Sequence, residues 1–475
     1  MSANPANPRN LVAVYQQDRW SNGGAQGDLT SFSFNRGRSW HRPTAPPFTR
    51  CADGNAANGG NYERASDPWV GFGPHGSAHQ IALALAGPAP NFPTSAVLVS
   101  SSRDGGRSWG PIKTLQRDTT ARLANDKESI TADPRNARFV YAVWDRLQAQ
   151  NPPDPNSPLS GDTLFARSTD GGRTWEPTRT ILDFPDNSNI QTLGNQIVVL
   201  GNGALVNVFD LIDHGVPYVA VQRSTNRGRS WSHPTVVDIL FSSAARGQGV
   251  IDPSDGHPVR TGDLLPEAAA DPRRGSRTVY LVWQDSRFTR AAPLPYFNDQ
   301  IALASSRDGG RSWSDPKRVS SNRRTQAFTG SVEVNRRGNL GVTYYDFTFD
   351  HRAGGPLNTD YWSTGSRDGG RTFSPRERLT RRSFDMRSAP DAEGFDVGDY
   401  EGLTSAGRRF VPVFVAANSG NLANRTDAFS SSFRPRFVGA WPSRSKARTG
   451  AGVSARRLAR IVKAAGQFRA PVRVR

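Results

Sequence analysis

The chain has 475 residues and a formal net charge of +18, from 60 basic and 42 acidic side chains. Cys51 stands alone, so no intrachain disulfide can form, and no apolar run reaches the length of a membrane-spanning helix. Gly 46 and Pro 34 are turn-rich levels, and helical periodicity is nearly absent before the C-terminus, which points to an all-β chain. The charge is uneven: from Arg434 onward there are 12 Lys or Arg and no Asp or Glu, so the remainder carries only +6.

In chain order, Met1-Ser2-Ala3-Asn4-Pro5 is not a signal peptide, and it opens directly on a repeat. A turn at Ala6–Asn10 leads into a strand, Leu11 to Arg19. The same turn and strand return at Ala132–Arg146 and Ala270–Arg287, and more weakly at 203–210, 339–346 and 408–415. These stretches lie upstream of a second motif, S-x-[DN]-x-G-x-[ST]-[WF], which the last unit lacks. Its copies are Ser33–Trp40, Ser102–Trp109, Ser168–Trp175, Ser224–Trp231, Ser306–Trp313 and Ser366–Phe373. The chemistry is that of a tight hairpin turn. The Asp or Asn caps backbone N–H groups, the Gly takes a positive φ, and the aromatic packs beneath.

Together these make a unit of four strands, with the second motif as the turn between the third and fourth. First strands are expected near Ser2, Asp67, Glu128, Asn195, Glu267, Gly330 and Asp399, at intervals of about 60–70 residues. That regularity favours an all-β β-propeller of seven four-stranded blades over residues 1–441, with six blades as the alternative. The last unit has lost the turn motif, and Arg436–Trp441 is its expected fourth strand. Residues 442–475 read as a basic tail in which Ser454 caps a short helix, apolar along Leu458, Ile461, Val462 and Ala465. That tail is either an ordinary C-terminal extension or a contact to an anionic surface.

The turn motifs are Asp boxes, and from Leu11 to Trp441 the chain resembles the sialidase-like, BNR-repeat propellers. The resemblance implies a glycoside hydrolase that clamps a substrate carboxylate with arginines and uses a Tyr nucleophile, an assisting Glu and an Asp acid/base. The family's Arg-Ile-Pro motif has no match here; Arg409-Phe410-Val411-Pro412 is the nearest stretch.

Strand polarity places both the turns between strands 1 and 2 and the Asp boxes on a lower face. The starts of strand 1 and the ends of strand 2 are then on the upper face. Asp67, Glu128, Glu267 and Tyr400 are the candidate catalytic residues there; Arg19, Arg146, Arg287 and Asp399 are the candidate binding residues. Tyr400 and Glu401 adjoin in a strand and point apart, so Glu128 or Glu267 is the expected activator of Tyr400. Inter-unit Asp–Arg pairs are the structural alternative for the three arginines. His75 and His79 have the wrong local structure for a metal, and Tyr15, Trp144 and Trp283 read as core. Loops at 51–64, 148–160 and 242–262 are placed to shape a groove. Two functions follow: a sialidase-like hydrolase, or a non-catalytic propeller binding polysaccharide or protein at a cell surface. The expected partner is a glycan. No cofactor, metal or nucleic acid is implied, and the chain is expected to be a monomer, extracellular or at the cell surface.

Overall fold

The computed structural model describes residues 1–89, 92–149, 159–186, 188–289, 297–350 and 354–437. The basic tail, its helix at Ser454 and most of the expected strand Arg436–Trp441 lie outside them. The described chain is nearly all strand, with helix confined to five single 3-10 turns. It falls into seven successive antiparallel groups. The second group shows the pattern: Arg64–Phe72, Ala78–Ala86, Thr94–Ser102 and Lys113–Asp118 pair in that order. The groups open with Ser2–Ala3, Arg64–Phe72, Leu123–Ala132, Ile190–Val199, Glu267–Ala270, Ala327–Val334 and Gly402–Ala406, each within a few residues of the position read from the repeats.

Backbone ladders hold each group together, while apolar packing and side-chain hydrogen bonds such as Ser129 Oγ to Asn195 O hold the groups to one another. Only isolated pairings such as Ala25 with Ala65 and Gly161 with Gln191 cross between neighbours. At each boundary sits an apolar cluster. Val12 meets Val70 and Phe72, Ile81 meets Ile130, Val143 meets Ile197, and Val208 meets Leu281. Leu303 then meets Leu340, Phe328 meets Phe414, and Leu11 of the first group packs with Ala406 and Val411 of the last. The first group therefore closes on the seventh through side chains; no single sheet closes on itself.

The Asp-box aromatics explain why the repeats recur at these boundaries. Trp109, Trp175, Trp231, Trp313 and Phe373 each slot into the seam with the preceding group, and Trp40 fills the seam between the first and the last. The turn beneath is built on the same Ser–Asp/Asn–Gly bonds in each copy. Ser102 Oγ donates to Asp104 Oδ1 at 2.8 Å and accepts from Gly106 N–H at 2.9 Å, while Asp104 Oδ1 accepts from the Arg107 and Ser108 N–H groups. Two consecutive residues are left-handed, Gly105 and Gly106 here; in the Asn copies an arginine, Arg36 or Arg227, takes the first of them. Both kinds of turn lie on one face, since Gly171 N–H donates to Arg138 O and Gly309 N–H to Arg277 O, each at 2.9 Å.

A Cβ on Gly106 would lie 2.5 Å from Val12 Cγ2 at a φ of +95°. Gly106→Ala is therefore expected to cost about 3 kcal/mol, combining a left-handed Cβ with overpacking of the seam. Chemical denaturation checks it; a loss below about 1 kcal/mol would mean that the seam yields freely.

Candidate active site

The first strands surround a cavity of about 1680 Å³. At its upper end four of them carry the same irregularity. Pairing register slips between Ser66 and Trp69, Asp126 and Ser129, Leu193 and Gln196, and Phe328 and Ser331. The first residue inside each bulge has a positive φ: Asp67, Lys127, Gly194 and Thr329. Only Gly adopts this without strain, so Asp67, Lys127 and Thr329 each hold a backbone costing about 1–2 kcal/mol. The bulge turns Asp67 and Lys127 into the cavity, and Glu128, the next residue, away from it.

Over this mouth lies a small sheet assembled from two distant insertions. Val250–Ile251 pairs with Pro258–Arg260, and that strand runs parallel to Phe395–Asp396. It brings Arg260, Asp396 and Asp399 to the bulges. Lys127 Nζ lies 3.2 Å from Asp67 Oδ2 and 3.0 Å from Asp399 Oδ2. Arg260 grips Asp399 with two bonds, Nε to Oδ1 at 3.0 Å and Nη2 to Oδ2 at 3.2 Å. Arg19 Nε meets Asp396 Oδ2 at 2.6 Å. The result is a chain of alternating charge across the mouth, Asp67–Lys127–Asp399–Arg260, with Arg19–Asp396 beside it.

The electrostatics divide the carboxylates by role. Burial opposes ionisation of Asp399, but Lys127 and Arg260 overcome it and hold the group well below the usual carboxylate range. Asp126 goes the other way: burial, only partly offset by Lys127, and its shared hydrogen bond with Asp67 push it up to about 6. Burial also raises Tyr400 well above its ordinary value, helped by the charges of Asp67, Glu128 and Asp399. The site thus pairs a carboxylate held ionised with one that keeps its proton up to about pH 6, the division that general acid chemistry requires.

Of the residues read from sequence, Asp67, Tyr400, Asp399 and Arg19 come together at this mouth; Tyr400 tilts against Trp69 at 5.5 Å between ring centroids. Glu128 is buried behind the cavity wall, its carboxylate oxygens without hydrogen-bond partners, yet close enough for its charge to act on Tyr400. Glu267 lines the cavity three groups away from Asp67, beside Gln196, and burial pushes it up to about 8. Glu401 accepts from the Tyr345 hydroxyl at 2.6 Å instead of meeting Tyr400. Arg146 and Arg287 do not join Arg19. Arg146 bonds Asp118 of the preceding group, and Arg287 bonds Asp238 of its preceding group and its own Asp285, so both tie neighbouring sheets together. His79 is buried on Ser101 Oγ at 2.8 Å, and burial lowers it to about 4. Among the described residues no group of three or more His, Cys, Asp or Glu is placed to hold a metal. Arg260, Asp126 and Asp396 escaped the sequence reading. Arg260 sits in the loop expected to shape a groove, whereas nothing local marks Asp126 or Asp396.

No family model and no curated protein matches the sequence. Among solved structures the chain is similar to a Hadza microbial sialidase, with 15% identity, 83% of this chain and 72% of that one covered, and a TM-score of 0.49. It is similar to an intramolecular trans-sialidase from Ruminococcus gnavus in complex with oseltamivir carboxylate, with 12% identity, 78% and 95% covered, and a TM-score of 0.47. An alpha-L-arabinanase from Penicillium chrysogenum, complexed with arabinobiose, has 12% identity, 77% and 93% covered, and a TM-score of 0.42.

Two stability measurements test the network. Asp126 has a folded value of about 6, above the roughly 3.9 of an unfolded Asp, so its contribution is fully present below about pH 4 and is lost as pH rises through 6. Asp126→Asn removes that loss, so its melting temperature is expected to exceed the parent's at pH 7.5 and to match it near pH 4. Lys127→Met leaves Asp67 and Asp399 facing each other in a mostly buried site, at an expected cost of about 3 kcal/mol in urea unfolding at pH 7.

Proposed function

We propose that the chain is a sialidase-like glycoside hydrolase built as a seven-bladed propeller, acting on an exposed glycan at the upper mouth of the cavity. The observation that carries this reading is the convergence of Asp67, Asp126, Asp399, Tyr400, Arg19 and Arg260 on one cavity. Asp126, protonated up to about pH 6, is the general acid that protonates the departing glycosidic oxygen. Asp67 shares its proton and reprotonates it. Tyr400 is the candidate nucleophile; its hydroxyl passes its proton to Asp67, which Lys127 contacts at 3.2 Å, as it attacks.

In the finer form of the reading the enzyme is an exo-α-sialidase. Arg19 and Arg260 then exchange Asp396 and Asp399 for the carboxylate of the sugar, a planar group that suits a two-bond guanidinium contact. Such a substrate places the protein's work outside the cell or at its surface.

A fluorogenic sialoside and a panel of other glycosides test both forms. The expected result is turnover that declines as pH rises above about 6, and that Asp126→Asn and Asp67→Asn each reduce by roughly 100-fold or more. Tyr400→Phe separates a tyrosine nucleophile from attack by a carboxylate. Saturable binding with no product from any glycoside would replace the hydrolase by a binding propeller.

A further inference from the structure

The face opposite the cavity mouth carries a charge pattern that the hydrolase reading does not use. Each Asp box ends with an arginine two residues before its aromatic: Arg38, Arg107, Arg173, Arg229, Arg311 and Arg371, all exposed. Three are oriented by their own turns. Arg107, Arg311 and Arg371 donate to the carbonyls of Asp104, Asp308 and Asp368 at 3.4, 3.1 and 3.0 Å. The turns between first and second strands lie alongside and add exposed pairs, Arg273–Arg274, Arg336–Arg337 and Arg408–Arg409. The box carboxylates are occupied in capping their own turns, and the Asn copies, at Asn35 and Asn226, have no carboxylate at all.

Two further features belong to this face. A basin of about 780 Å³ between the third and fourth groups is lined by Arg138, Arg227 and Arg229, with Arg227 over the Phe139 ring at 4.5 Å. The one carboxylate lining it, Glu176, is held by Arg167 at 2.6 and 3.0 Å. The chain also leaves the last group here, where Phe433 pairs with Phe410 directly after the turn at Arg408. From Arg434 onward the sequence has 12 Lys or Arg and no acid.

We propose that this lower face docks the protein onto an anionic phospholipid bilayer, with the cavity mouth turned away from the lipid. Arginines at equivalent positions in six groups around the ring can be engaged together only by an extended plane of negative charge. A nucleic acid strand would follow an arc, and it would look for exposed stacking rings, whereas the box aromatics are spent in the seams. The exposed large apolar side chains among the described residues, Phe349, Leu422 and Phe429, lie off these turns, so adsorption is electrostatic and needs no insertion. At the other mouth Lys127, Arg19 and Arg260 are paired with Asp67, Asp396 and Asp399, so that face offers no matching excess of positive charge.

The test is flotation of the full chain with vesicles of phosphatidylcholine alone or with about a third phosphatidylserine. Binding to the anionic vesicles at 0.05 M salt, steeply lost by 0.5 M, is expected, because screening shortens the reach of surface charge to a few ångströms. A guanidinium at such a surface is worth about fivefold in partition, so replacing the six box arginines by Gln is expected to lower binding by more than ~100-fold. The upper-face control Arg381→Gln/Arg382→Gln should leave it unchanged, and circular dichroism verifies that both variants fold. Equal binding to neutral vesicles, undiminished binding by the six-arginine variant with its tail intact, or preference for duplex or single-stranded nucleic acid over the vesicles would each overturn the proposal.

Discussion

The structure depends on an apolar seam between successive sheets, renewed at each boundary by one aromatic side chain. Backbone ladders run within each group and almost never between groups; the bonds that cross are mostly made by side chains, as Ser129 and Thr131 donate to the carbonyls of Asn195 and Ile197. Cohesion of the ring therefore rests largely on burial, which is worth about 25 cal/mol per Å² of apolar surface and has no directional preference. A non-directional force needs something to fix the register. The Asp-box turn supplies it, since its side-chain bonds set the backbone that aims Trp109, Trp175 or Trp313 into the neighbouring seam. In this light the six copies are a structural device, and the cluster of paired charges lies at the other end of the strands.

At that end the strands give up regularity. Bulges at Asp67 and Lys127 force side-chain-bearing residues into left-handed backbone, and the strain is retained because the ladders on either side over-determine it. What is obtained is a lysine and an aspartate aimed into one cavity from adjacent sheets. The ion pairs that follow are mostly buried. Such pairs are poor sources of stability, because desolvation consumes most of the Coulomb gain. Their presence fits a site better than a scaffold. The Arg146–Asp118 and Arg287–Asp238 pairs contrast with them: they bridge neighbouring sheets away from the cavity, one in each of two seams.

The molecule is thus polarised along its ring axis. Carboxylates with displaced proton affinities gather at one mouth, while arginines gather on the turns at the other. The same strand polarity creates both halves of this arrangement. Alternating strands send every Asp box and every first turn to one face, and every bulge and long insertion to the other.

How much of this could be read without coordinates follows from the range of each interaction. The turn chemistry of Ser102, Asp104 and Gly106 acts over five residues, so the motif, its left-handed glycines and the packing of Trp109 beneath the turn were legible in the letters. Repetition then made the spacing of first strands and the polarity of the two faces legible too, and with them Asp67, Asp399, Tyr400 and Arg19. The orientation of Glu128 was not, because a bulge shifts facing by one residue and period-two alternation fails there. Nor was the separation of Arg146 and Arg287 from Arg19, since the carboxylates that hold them sit in the preceding sheets. Arg260 and Asp396 are 136 positions apart and meet through a two-residue parallel pairing with no local signature. Short-range hydrogen bonding was written in the sequence itself; which charges face one another across the cavity was decided only when the ring closed and the two insertions paired above it.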